Sequence, residues 1–170
     1  LTMRWLTIAL LFLPCGSPGT LTATTSREPT DNTDPPGRVA RLSYVEGAVS
    51  FRPAGSDDWI AATLNRPLTT GDILFTETNA KAELQLGSAF LRLAPQTSIE
   101  FLNLTDNLIQ VKLTAGAVIV RLRQLDEGDD FELDTPVAAV SLLRTGNYRF
   151  EVGDNIEQLR LTVRSGEAEV

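Results

Sequence analysis

From Val39 onward, large apolar residues recur at every second position, and this period of two decides what the chain can fold into. Ala82, Leu84 and Leu86 alternate with Lys81, Glu83 and Gln85. Ile109, Val111 and Leu113 alternate with Gln110 and Lys112. Tyr148, Phe150 and Val152 repeat the pattern, as do Leu159, Leu161 and Val163. Successive side chains of an extended strand point to opposite faces, so each run carries one apolar and one polar face. No window of helical length beyond residue 23 keeps an apolar i, i+3, i+4 stripe.

Turn chemistry falls between these runs at Glu77-Thr78-Asn79-Ala80, Leu86-Gly87-Ser88, Ala94-Pro95-Gln96, Thr105-Asp106-Asn107 and Glu127-Gly128-Asp129. Such short connections leave no room for crossover helices, so strand pairing should be mainly antiparallel. The expectation is an all-β domain of short strands in a sandwich, roll or β-solenoid-like arrangement. A weak internal echo of strand, glycine, strand recurs at Gly47, Gly116 and Gly166. These glycines are expected at bulges or sharp bends. No helix start follows any of them, so a phosphate cradle is not indicated.

Two absences limit the chemistry. The 170 residues include no histidine, and the only cysteine is Cys15. Ser-His-Asp and Cys-His nucleophilic machinery cannot be assembled, nor can histidine or thiolate zinc sites. No intramolecular disulfide can form, so core packing alone must hold the fold. The formal net charge of −7 argues against sequence-independent nucleic-acid binding and against docking on anionic membranes.

The N-terminus reads as an address. Arg4 precedes an apolar run from Trp5 to Leu13, and small and polar residues follow up to Ala23. This is the layout of a secretory signal peptide over residues 1–23, starting at Met3 and too short to span a bilayer. Cys15 offers a second reading, a lipid-modified first residue of the mature chain. Pro14 stands where a bacterial lipoprotein signal has a small residue, which favours an incidental cysteine in a discarded peptide. Residues 24–38 hold no large apolar side chain and are expected to form a disordered linker. The β domain then covers 39–170. It stops on Val170 in mid-pattern, so a C-terminal truncation is expected.

Five segments follow one another in a familiar order. They are Val45-Glu46-Gly47-Ala48-Val49; Leu68 to Leu74, containing Gly71-Asp72; Ala80 to Ser88 with Leu91-Arg92-Leu93; Val111 to Val118; and Phe131 to Val140, with Tyr148 to Val152 after it. The series resembles the FecR domain, named for the periplasmic sensor-regulator of ferric citrate uptake. Arg144-Thr145-Gly146-Asn147 inverts the Gly-Thr pair that the family usually shows there. The resemblance is expected to lie with exported, stand-alone members rather than with those in which a transmembrane helix and a cytoplasmic anti-sigma arm precede the domain.

Two clusters could carry chemistry. Asp126-Glu127-Gly128-Asp129-Asp130 offers oxygen ligands to calcium, but lacks the alternating spacing of a known loop and reads as a solvated hairpin tip. Asp57-Asp58 beside Trp59 could serve a sugar, but adjacent residues on a strand face opposite ways, and Trp59 packed on the sheet with the acids decorating a turn explains them better. No catalytic, cofactor or metal residue is assigned. The expected protein is a non-catalytic, exported module, periplasmic or secreted, acting in protein interaction or envelope signalling. Its expected partner is another envelope protein, with no nucleic acid and no membrane insertion after signal cleavage. The alternative is a module that binds envelope carbohydrate or peptidoglycan.

Overall fold

A computed structural model describes residues 37–153 and 158–170. The signal peptide, Cys15 and all of the expected linker except Gly37 and Arg38 lie outside these residues. The described regular structure is entirely strand, joined in one curled, half-barrel sheet. The all-β, mainly antiparallel expectation holds, and of the three arrangements the roll is nearest.

In chain order the strands are β1 (Ala40–Glu46), β2 (Val49–Arg52), β3 (Ile60–Ala61), β4 (Pro67–Leu68), β5 (Ile73–Thr76), β6 (Lys81–Leu86) and β7 (Ala89–Leu93). They continue with β8 (Ser98–Leu104), β9 (Leu108–Leu122), β10 (Asp130–Asp134), β11 (Ala139–Leu142), β12 (Gly146–Val152), β13 (Leu159–Ser165) and β14 (Ala168–Glu169). Pairing sorts them into two halves. Sheet A runs β4-β1-β6-β7-β9-β12-β13, and sheet B runs β3-β2-β5-β8-β9-β10-β11-β14. The long strand β9 belongs to both. Its first part pairs with β8, and its second part pairs with β7 and β12.

Several strands therefore turn a corner from one half to the other. The corners of β1/β2, β5/β6, β7/β8 and β9 fall at Gly47-Ala48, Glu77–Ala80, Ala94–Thr97 and Ala115-Gly116. At Gly116 the backbone φ is +84°, a conformation that a side chain disfavours. A Cβ there would also lie 2.6 Å from both the Gln96 carbonyl oxygen and Thr97 Cα. Buried Thr97 ties the corner together: its Oγ1 accepts from Ala117 N at 3.0 Å. Thr97 N donates to Thr76 Oγ1 at 2.9 Å, and that hydroxyl donates to Ala94 O at 2.6 Å. Gly47 and Gly166 also take positive φ, +75° and +102°, so the glycine echo marks corners as expected.

On the opposite side, β11 passes to β12 through residues 143–145, and β13 passes to β14 at Gly166. The buried Tyr148 joins these two corners, donating its hydroxyl to Arg144 O at 2.5 Å and accepting from Glu167 N at 3.0 Å.

One pair departs from the antiparallel pattern. β10 runs parallel to the first part of β9, from Asp130 opposite Leu108 to Asp134 opposite Lys112. Parallel strands ordinarily need a helical crossover. Here β9 bends at Gly116, and its own second half makes the return with residues 123–129.

The alternation read from sequence becomes the core. Leu84, Leu86, Ile109, Val111, Leu113, Tyr148, Phe150 and Val152 are all buried in one cluster with Phe101, Val120, Phe131 and Leu133. Each fully buried Leu or Phe contributes about 1.5–3 kcal/mol by leaving water. Asp72 is the buried charge at its margin. Its carboxylate accepts from Ala54 N at 2.9 Å and Thr69 N at 2.8 Å, pinning two loops at once.

Candidate functional site: an open strand edge beside arginines

Neither acidic cluster forms an organised site. In the loop before β10, Asp126 accepts from Gln124 Nε2 at 3.0 Å through both oxygens, and Asp129 lies 3.7 Å from Arg38. Among the described residues, no three His, Cys, Asp or Glu side chains are grouped as a metal ion requires. Asp57 and Asp58 are exposed in the loop preceding β3. Trp59 is half exposed, and the Arg52 guanidinium sits 5.4 Å from its ring centroid, occupying one face of it. A sugar would have to stack on the other face.

A candidate recognition feature is β13. Among the described residues it pairs only with β12, so it forms one edge of sheet A, β4 being the other. Gly153 N donates to Gln158 O at 3.2 Å, which places the backbone groups of residue 158 toward β12. Antiparallel strands alternate the direction of these groups. The N–H and C=O groups of Arg160 and Thr162 therefore also face β12, and those of Leu159, Leu161 and Val163 face outward, unpaired among the described residues. Their side chains continue the core row of Val152, Phe150 and Tyr148. Leu159 and Leu161 are partly buried against the core, and Val163 is 42% exposed. A solvent-open hollow of about 880 Å³ lies at one end of the edge, between Pro95, Gly116, Glu151, Arg160 and Leu161.

The outer face of sheet A is rich in arginine. Arg92, Ile119 and Arg149 are cross-strand neighbours in one row, and Phe90, Arg121 and Asn147 form the next. Glu151 opposes Arg160 and is hydrogen-bonded by Arg149 at 2.7 Å. That bond, with the charges of Arg149 and Arg160, holds the Glu151 carboxyl below its ordinary value.

On the outer face of sheet B, Gln110 Nε2 bridges Glu132 Oε1 at 2.9 Å and Asp134 Oδ2 at 3.0 Å. The hydrogen bond with Asp134 raises the Glu132 carboxyl, and partial burial and the negative charge of Asp134 add to this. A carboxyl raised by folding stabilises the protein below its unfolded value and loses that contribution as pH rises through its folded value. Glu132→Gln keeps the bridge and removes a charge. It should therefore raise thermal stability at neutral pH, with the gain shrinking as pH falls into the carboxylate range. A gain independent of pH would contradict the assignment.

A family model, described as FecR protein, matches residues 72–169, more than half of the 170-residue chain. The chain belongs to the FecR family. No curated relative and no solved structure matches it. FecR proteins are a regulatory, envelope-associated family. The matched span runs from the buried Asp72 through β14, and β1 and β2 complete the two halves by pairing with β6 and β5. No described helix is long and apolar enough to cross a membrane.

The FecR motifs prove to be folding instructions. Gly71-Asp72 forms the pinned turn, and the alternating segment Ala80 to Leu93 is the β6–β7 hairpin. Gly116 is the corner. In the Thr135-Pro136 segment, Thr135 Oγ1 accepts from Ala138 N at 3.1 Å and closes the turn between β10 and β11. At the inverted pair, Gly146 leaves room for the Ser165 carbonyl of β13. The edge itself was not legible in the sequence, because alternation identifies a strand but not its neighbours. Arg160 and Arg164 were the available signal, since edge strands commonly carry charges that deter unwanted pairing.

Proposed function

We propose that this FecR-family chain is an exported, non-catalytic interaction module of the cell envelope, which meets a partner protein by strand addition at β13. The observation that carries the reading is the outward row of unpaired backbone groups at Leu159, Leu161 and Val163. An extended segment laid against such an edge gains a ladder of main-chain hydrogen bonds, and alternate side chains set its specificity. Export is supported by the signal-like segment at 1–23, and a regulatory role by the family. The absence of histidine removes histidine-based catalysis, and the paired carboxylates Glu132 and Asp134 are already engaged with Gln110.

A photoreactive residue at position 162, used in the envelope of the source organism, tests this. A discrete protein adduct is expected that is lost when Val163→Lys places a charge on the inner side of the edge. Retention on peptidoglycan with no protein adduct would overturn the proposal in favour of a carbohydrate-binding module.

A further inference from the structure

The chemistry of a strand added at this edge can be read from the side chains it would lie beside. β13 presents two different faces along its open edge. Toward the core side stand Leu159, Leu161 and Val163, the last 42% exposed. On the outer side stand the exposed Arg160 and Thr162, with Arg164 as the extra residue of a bulge. β13 itself has no acidic residue, and the neighbouring acid on β12, Glu151, is already hydrogen-bonded by Arg149. An added strand would place its own side chains next to these two sets in turn.

We propose that β13 selects an extended protein segment in which apolar and acidic residues alternate. The apolar side chains would cover the exposed end of the core, and the carboxylates would face Arg160 and Arg164. This rests on the strand-addition reading and specifies its partner. The same charges disfavour one pairing of β13 with a second copy of itself. In an antiparallel register centred on Thr162, Arg160 would face Arg164 of the other copy, and like charges directly opposite repel. A nucleic acid or an anionic membrane would extend over the rest of a molecule with net charge −7. A short strand would experience mainly the arginines within a Debye length of about 8–10 Å.

The test uses three synthetic peptides, with valine alternating with glutamate, threonine or lysine, N-methylated on one edge so that they cannot pair with themselves. Binding to the full chain is measured by calorimetry at low and high salt. The glutamate peptide should bind about five- to tenfold more tightly than the threonine peptide at low salt, with the difference shrinking as salt rises. The double variant Arg160→Glu with Arg164→Glu should reverse the order in favour of lysine. Equal binding of all three peptides would overturn the charge selectivity and leave strand addition standing. Binding by none of them would overturn both. The salt dependence of the unaltered protein keeps the test decisive should the double variant fold poorly.

Discussion

Gly116→Val is expected to lower folding stability by about 2–5 kcal/mol, a large share of what a domain of this kind possesses. Two costs add at this position. A side chain in the left-handed backbone region, here φ +84°, costs about 1–2 kcal/mol. Forcing atoms into a packed corner costs about 1–3 kcal/mol more, because Gln96 and Thr97 stand 2.6 Å from where the Cβ must go. The damage should spread beyond the corner, since β9 is the strand that both halves of the sheet share. Gly87→Ala is the control. Gly87 also has a positive φ, +57°, but nothing lies within 4 Å of a Cβ there, so a loss of only about 1 kcal/mol is expected. Thermal melts of the two variants should separate by roughly 10 °C. Equal losses would show that close approach at Gly116 contributes nothing.

The second large effect is expected at Asp72. Replacing it by alanine leaves Ala54 N and Thr69 N without their acceptor in a site where the residue is 6% exposed. Each stranded donor costs about 1–3 kcal/mol, so Asp72→Ala should lose about 3 kcal/mol in denaturant unfolding. Asp72→Asn is informative because it is nearly the same size. Its amide offers one acceptor oxygen and turns a donor toward the other N–H, so about half the loss should remain. A loss below about 1 kcal/mol for alanine would mean that water replaces the carboxylate and that this turn is not pinned as described.

These two positions show how the sequence could and could not be read. Alternation at Leu84, Leu86, Val111, Leu113 and Phe150 identifies buried strand residues because a period of two leaves only one apolar face. The glycines at 47, 116 and 166 were legible as bends for the same local reason. What lay beyond local reasoning was direction. Glu77–Ala80 and Ala94–Thr97 carry turn chemistry, yet there the chain crosses between halves instead of doubling back. That outcome depends on Thr97 meeting Ala117, twenty residues away. The parallel pairing of β10 with β9 was hidden for a related reason, because it exists only once β9 has bent. The site was the least legible part. Leu159, Leu161 and Val163 read like any core-facing row, and only the order of strands in the sheet leaves them at an edge.

The FecR motifs and the candidate site therefore stand apart in this chain. The motifs build corners, turns and core, and the edge is left by the way those elements are ordered. Both arginine positions on β13 lie on this edge, which joins the basic outer face of sheet A to an incompletely covered apolar row. The proposed docking by backbone, with charge setting the choice of partner, rests on that combination.

The most direct measurement is residue-by-residue amide exchange on the full chain. An open edge at β13 predicts fast exchange at Leu159, Leu161 and Val163 and slow exchange at Arg160 and Thr162, with the fast set becoming protected when a partner strand binds. Slow exchange at all five residues in the free protein would mean that the edge is already covered, and would contradict the proposal.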